Sequence, residues 1–352
     1  MGILSPAAVT APPSLARQAN ALVGDLTRPK PWIYWSDLAG TALVLYLSLF
    51  LAATLEAPAL SLAAGAVAVL ALYRAISFIH ELTHLRPGAV PGFHLAWNAL
   101  IGVPFLTPSL MYEGVHMLHH AKDRYGTLED PEYRPLARLP ARQLAVFLGI
   151  AILAPVGVFL RFAVIAPLSL LIPPLRRLAA GRLSAMTINP AFVRKDLERA
   201  HSPAWLAQEV ACWFWSWGLT ALTVMRVIPG RVPLTAAGVY AVMAALNQLR
   251  TAVAHAWESE GERMSFRDQF LDTVNVPPPA LLPILWAPVG LRYHALHHLM
   301  PRLPYHNLAA AHRRLVATLP QDSDYRLVEQ RELAPAMARL VRRMRSRDLT
   351  AA

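Results

Sequence analysis

The sequence predicts an all-α integral membrane protein, with four transmembrane helices in two hairpins, interfacial helices between them, and a histidine-rich cap on the cytoplasmic side. Three observations predict it. Of 352 residues, 55% are apolar and 16% charged, with a mean hydropathy of +0.36, whereas an ordinary soluble domain carries about a quarter charged residues. Uncharged apolar runs long enough to cross a bilayer come in closely spaced pairs. Histidines collect at the ends of those runs. The same composition excludes intrinsic disorder and collagen-like repetition, and Cys212, the only cysteine, excludes an internal disulfide or a thiolate metal site.

Taken in order, residues 1–30 form a cytoplasmic segment without a secretory signal, because they mix proline with Arg17, Arg28 and Lys30 and have no apolar centre. A spanning helix needs about 20 apolar residues. The run 38–55 has no charge, and 57–79 is interrupted only by Arg74, so the two make a hairpin turning at Glu56-Ala57-Pro58. That turn lacks Lys and Arg while both outer flanks carry them, which puts the hairpin ends in the cytoplasm. The second hairpin pairs 210–225 with 234–254 around a turn at 229–233. Trp213, Trp215 and Trp217 on its first arm mark either the headgroup level or bundle packing.

Between the hairpins, 93–112 and 143–175 are apolar but broken by proline and Arg161, and read as half-buried or interfacial helices. The proline-rich piece 277–291 reads as a re-entrant or surface segment. Residues 316–352 form a basic cytoplasmic tail. The net charge of +11 would suit nucleic acid in a soluble protein, but here the cations flank apolar segments, as loops facing anionic lipid do. No nucleic-acid partner is expected; the bilayer is.

Nine of the 13 histidines fall into four groups: His80 and His84; His116, His119 and His120; His255; and His294, His297 and His298. Spacings of three and four set each cluster on one helical face, where imidazoles can converge on a metal. At this histidine content about 0.02 matches to HxxHH arise by chance, and the sequence has two. The clusters follow apolar segments on the same predicted side, so all nine can share one site. Nine imidazoles exceed the three or four ligands of zinc but suit two iron ions with positions left for oxygen species. Glu81, Glu113, Asp123 and Glu258 are nearby candidates for orienting imidazole N–H groups.

The order HxxxH, HxxHH, lone His, HxxHH around two membrane hairpins resembles the membrane-bound fatty acid desaturase and hydroxylase superfamily. The run His297-His298-Leu299-Met300-Pro301 resembles its third box. The resemblance covers 38–315 within a unit of 31–315. It implies two non-haem irons held by His80, His84, His116, His119, His120, His255, His294, His297 and His298, with O2 as co-substrate. It also implies a separate electron donor, a ferredoxin or a small haem protein with its reductase, and a fatty acid or acyl lipid substrate. Family members often carry asparagine four residues before the lone histidine, holding a metal-bound water. Here that residue is Thr251, with Asn247 one turn earlier.

Other readings compete. His80-Glu81-Leu82-Thr83-His84 also matches HExxH, the zinc-protease helix, but that leaves seven clustered histidines without a role. A histidine-lined metal transporter would place its ligands at mid-membrane instead of at span ends. His94, His201, His306 and His312 stand alone and are not ligands. Arg250 and Arg292 are candidates to meet a substrate carboxylate, or to snorkel. The expected activity is O2-dependent attack on an unactivated C–H bond of an acyl chain in a bacterial inner membrane, with termini and site cytoplasmic. Desaturation ranks first, and terminal-alkene formation by decarboxylation and hydroxylation are the alternatives.

Overall fold

The fold is seen in a computed structural model that describes residues 14–330 and 332–350; residues 1–13 of the N-terminal segment, and the side chains of Arg345 and Arg347 in the tail, lie outside the described residues. It is helical throughout, with only isolated bridges and no strand among the described residues. The elements that carry the site are α1 (Leu15–Val23), α2 (Pro31–Thr54), α3 (Pro58–His84), the single turn α4 (His116–His119) and α5 (Arg142–Leu171). They continue as α6 (Pro173–Arg182), α7 (Pro203–Val224), α8 (Arg231–Ala252), α9 (His294–Leu299), α10 (Tyr305–Thr318) and α11 (Leu333–Thr350).

Among the described residues, four helices are long and apolar enough to cross a membrane: α2, α3, α5 and α8. Three correspond to predicted arms. The predicted arm 210–225 folds as α7 but is not among the four, because Gln208, Glu209 and three tryptophans dilute its apolar content. The place goes to α5, whose Arg161, Pro155 and Pro167 looked like breaks in the sequence. A 3-10 turn at Ile150–Leu153 and a π turn at Leu160–Ile165 precede the two prolines and absorb their missing N–H groups, so the helix continues. The stretch 93–112 forms a short helix, α-helical over Phe93–Trp97 and π-helical over Asn98–Gly102, followed by a 3-10 turn at Ser109–Met111, and 277–291 forms a one-turn helix, Pro283–Trp286, with Leu281, Leu282, Ile284 and Leu285 exposed.

α2 and α3 pack antiparallel along their length, and α8 lies against both. α2 starts at Pro31, earlier than the apolar run, because Asp37 does not interrupt it. Its carboxylate pairs with Arg74 of α3 and accepts from the Tyr305 hydroxyl at 2.8 Å, so a charge inside the span is satisfied by a partner. Tyr34 of α2 donates to Glu81 of α3 at 2.6 Å, so the start of α2, the end of α3 and the start of α10 meet at one end. Leu43, Leu47 and Phe50 of α2 and Leu60 and Leu62 of α3 stay exposed, as a lipid-facing surface requires.

α5 runs against α8 with its first half and α7 with its second. Gln248 donates to the Phe147 carbonyl at 3.1 Å, and the Trp217 indole to the Ala163 carbonyl at 3.0 Å. The Trp215 indole donates to the Pro104 carbonyl at 3.0 Å, so both indoles serve packing. Glu209 of α7 accepts from Arg161 at 2.5 Å and from Arg176 of α6 at 2.6 Å, and the three side chains are only 4%, 4% and 8% exposed in that order. Removing the shared carboxylate leaves two guanidinium groups buried without a counter-charge. Glu209→Ala is therefore expected to cost about 3–5 kcal/mol of stability, and Trp217→Phe, which loses one hydrogen bond, about 1 kcal/mol. Thermal unfolding of the detergent-solubilised protein checks both.

Candidate metal centre

Each histidine cluster reaches the site from a different element. His80 and His84 occupy the last turn of α3, four residues apart and so on one face. His116 and His119 lie on α4, with His120 as its C-cap. His294, His297 and His298 lie on α9. His255 sits three residues past the end of α8, where a backbone bridge to Thr273 fixes it, and not on the helix as its sequence position suggested.

The nine imidazoles converge on two adjoining groups. His80, His84, His116, His120 and His297 form one, and His119, His255, His294 and His298 the other; within each group one nitrogen per ring lies within 4.8 Å of the others. The His120 and His298 rings stack at 4.3 Å and join the groups. His94, His201, His306 and His312 belong to neither. His94 pairs with Glu113 at 2.8 Å, His306 accepts from the Lys30 amide, and His312 meets the Tyr325 hydroxyl.

Three nitrogen pairs are especially close: His116 with His120 at 3.0 Å, His120 with His297 at 3.0 Å, and His255 with His294 at 2.9 Å, all between Nε2 atoms. Two nitrogens about 2.1 Å from one ion and at right angles stand about 3.0 Å apart, so these rings are already spaced as neighbouring ligands. Both ring nitrogens of His80, Nε2 of His84 and His298, and Nδ1 of His294 are buried without a hydrogen-bond partner. A metal satisfies such atoms. The donor set and its spacing fit two ions.

Which nitrogen carries the proton is set behind the rings. His119 Nδ1–H donates to Asp130 at 2.9 Å and His116 Nδ1–H to Glu132 at 2.7 Å, leaving each Nε2 lone pair facing inward. His255 Nδ1–H donates to the Tyr125 hydroxyl at 2.8 Å, which donates to Asp272 at 2.9 Å. The carboxylates are themselves held. Asp130 accepts from the amides of Gly126 and Glu132, Glu132 from the Tyr112 hydroxyl, and Asp272 from the Tyr133 hydroxyl and the Glu258 amide.

Burial, and then the neighbouring imidazoles, holds His116, His120, His294, His297 and His298 well below the usual histidine range, which keeps them neutral and able to ligate. Burial opposes charge on His119 as well, but the Asp130 carboxylate, together with Glu132 and Asp272, outweighs it and raises that pKa. Burial pushes the Glu132 carboxyl up to about 7.

The carboxylates singled out in the sequence have other partners. Glu81 faces Tyr34 and the Tyr305 amide, Glu113 faces His94 and Ser109, Glu258 pairs with Arg343, and Asp123 is exposed. With Glu81 turned away, the HExxH reading also lacks its general base. Asn247 and Thr251 are half-buried on α8, and neither hydrogen-bonds a histidine among the described residues. Arg292 tethers a loop by donating to the carbonyls of Val276 and Ala280 at 2.8 Å. Arg250 does reach the site: it acts electrostatically on His294 and Tyr73, and its buried Nε has no partner.

Asp130, Glu132 and Asp272 were missed. Asp130 and Glu132 carried a faint signal, an acidic run Glu129-Asp130-Pro131-Glu132 shortly after the second box. Asp272, Tyr125 and Tyr133 carried none.

The chain matches the family described as Fatty acid desaturase over residues 57–329, a span containing all nine clustered histidines. It is 54% identical over 338 residues, 96% of each chain, to a protein of Caulobacter vibrioides (strain NA1000 / CB15N) named Ceramide hydroxylase. No solved structure matches it significantly.

Freeing a ligand's N–H from its carboxylate lets the ring rotate and change tautomer. Asp130→Asn and Asp272→Asn are each expected to weaken metal binding by about 10–100-fold, read as metal retained against a chelator. Asp123→Asn, at the surface, leaves retention unchanged.

Proposed function

The chain belongs to the fatty acid desaturase family, and on that premise we propose that it is a diiron membrane oxygenase that hydroxylates a long-chain acyl amide lipid of the ceramide type. The observation that carries the reading is the convergence of nine imidazoles, with Nε2 atoms spaced as neighbouring ligands, at the end of the apolar helices. His80, His84, His116, His120 and His297 would hold one iron, and His119, His255, His294 and His298 the other. Iron so bound supplies O2 activation and attack on an unactivated C–H bond.

Hydroxylation and desaturation begin with the same hydrogen abstraction and differ only in the second step, so the site alone favours neither. The relative at 54% identity names a hydroxylase, and this moves hydroxylation ahead of the desaturation that the sequence ranked first.

The remaining roles belong to the protein's own side chains. An apolar cavity of about 440 Å³ between α5, α7 and α8, lined by Phe105, Val158, Leu160, Leu219 and Tyr240 among others, offers room for an alkyl chain on the lipid side. Arg250, with its unpartnered Nε, and Tyr73 beside it, with an unpartnered hydroxyl, are suited to hold the substrate's amide oxygen near the histidines. Asp130, Glu132 and the Tyr125–Asp272 pair keep imidazole protons away from the metal face. Arg28, Lys30 and Arg86 flank the histidine ends of α2 and α3, which supports a cytoplasmic site in a bacterial inner membrane with α2–α3 and α7–α8 as hairpins.

Reconstituted in nanodiscs with iron, a ferredoxin system, ceramide and labelled O2, the protein is expected to yield a product bearing one labelled oxygen. An unlabelled product two hydrogens lighter would return desaturation to first place. Arg250→Gln is expected to raise KM for the lipid by roughly tenfold, the loss of a charge-assisted hydrogen bond worth about 1.5 kcal/mol, with a smaller effect on kcat.

A further inference from the structure

Hydroxylation takes two of the four electrons that O2 accepts from the substrate and two from outside: R–H + O2 + 2 e⁻ + 2 H⁺ gives R–OH + H2O. If O2 is reduced with no substrate in place, reaching 2 H2O still requires four electrons, and the missing two come from whatever oxidisable side chain lies nearest the metal ligands. Which side chain that is has a structural answer.

Three oxidisable rings adjoin the four-histidine group. Between centroids, Tyr125 lies 5.0 Å from His119 and 5.5 Å from His298, and Trp257 lies 4.8 Å from His255. Tyr133 joins them, 5.5 Å from Tyr125 and 5.1 Å from Trp257. All three are buried. No other place among the described residues combines these features. Tyr112 stacks on His116 but meets no second tyrosine or tryptophan ring, and the cluster of Tyr34, Phe78, Phe93 and Tyr305 touches none of the nine histidines.

The surroundings suit electron loss. A phenol buried away from water is costly as a cation, so it gives up an electron only if its proton leaves too. Tyr125 and Tyr133 both donate to Asp272, at 2.9 and 3.1 Å, and that carboxylate is the base at hand. Tyr125 also stands in the wall of a cavity of about 250 Å³ that the exposed Lys122 shares, so a small soluble reductant can approach it. Trp257 holds φ at +62°, a conformation that bulky residues rarely adopt and that concentrates at functional positions. Its indole donates to the Ala252 carbonyl at 2.9 Å, which keeps the ring between His255 and Tyr133.

We propose that Tyr125, Tyr133 and Trp257 form a protective relay that feeds electrons to the oxidised centre when O2 is reduced without substrate, so that the imidazoles are spared. The proposal rests on the oxygenase reading. Trp257 and Tyr125 each serve the ligand rings they touch, and Tyr133 passes an electron from Tyr125 to an oxidised Trp257. At Tyr125 the electron leaves, the O–H proton moves to Asp272, and a neutral phenoxyl radical remains. A soluble thiol restores the phenol by giving up its hydrogen atom, two thiyl radicals pair as a disulfide, and the proton on Asp272 joins the water formed. Two such cycles balance as O2 + 2 e⁻ + 2 H⁺ + 2 RSH giving 2 H2O + RSSR.

The test uses the iron-loaded full chain in nanodiscs with ferredoxin, its reductase and O2, with or without ceramide. Without ceramide, the wild type is expected to show a tyrosyl radical in freeze-quenched EPR that glutathione removes. Mass-spectrometric mapping should find oxygen added to Tyr125, Tyr133 and Trp257, and none added to the nine histidines or to the remote, buried Trp205. Trp257→Phe should raise oxidation of His255 several-fold and leave His119 unchanged. Tyr133→Phe should add a tryptophanyl signal, because Trp257 is no longer refilled. Oxidation of the histidines first, or of Trp205 as readily as Trp257, overturns the relay alone, as does a His255 yield that Trp257→Phe leaves unchanged. Metal lost from Trp257→Phe to a chelator before any turnover assigns the indole to holding His255 and overturns the relay too. O2 uptake that occurs only with ceramide leaves the relay no task and overturns it while the oxygenase reading stands. No O2 uptake under either condition overturns both.

Discussion

A buried imidazole offers a metal one lone pair, and only if its proton is held on the other nitrogen. That constraint organises the cap. Nine rings packed into one dry region would repel if protonated, and would turn or hydrogen-bond each other if their tautomers were free. Asp130 and Glu132 prevent this for two rings of α4, and the Tyr125–Asp272 pair prevents it for His255 in the loop after α8. The carboxylates could not do this alone, since an unpaired buried carboxylate is itself costly. Backbone amides of Gly126 and Glu132 and the hydroxyls of Tyr112 and Tyr133 complete their shells.

The helices beneath obey the same rule of paired charge. Asp37, Arg74 and Arg161 sit in helices otherwise fit for hydrocarbon, Asp37 and Arg74 pairing with each other and Arg161 with Glu209 of α7, which also holds Arg176 of α6. Each network ties two or three helices where only side-chain packing would otherwise hold them. The Asp37 network also takes in Tyr305 at the start of α10, so α2, α3 and the cap are fixed by one carboxylate. The nearby Glu81 adds a second tie through Tyr34 and the Tyr305 amide. Glutamate in the first histidine box is therefore a fastener between membrane helices and cap.

Much of the architecture was legible in the sequence because hydrocarbon imposes a one-dimensional code. The runs at 38–55, 57–79 and 234–254 can only be apolar helices, since a span must satisfy its own backbone. The code failed where charge or proline is compensated by a distant residue. Arg161 reads as a break until Glu209 is seen against it, and Glu209, which lowers the apolar content of α7, is the carboxylate that holds α5 and α6 to it.

The nine histidines were determined by sequence alone, since their number, spacing and placement after apolar runs are local properties that chance does not produce. Tertiary structure decided how they divide, five and four, and which side chains hold their protons. His119 and His120 are neighbours in sequence yet face different groups, because adjacent residues on a helical turn diverge by about 100°. Asp272 reaches His255 through Tyr125, three residues from three separate segments, and no spacing rule connects them. Such contacts depend on how helices pack, which periodicity does not encode.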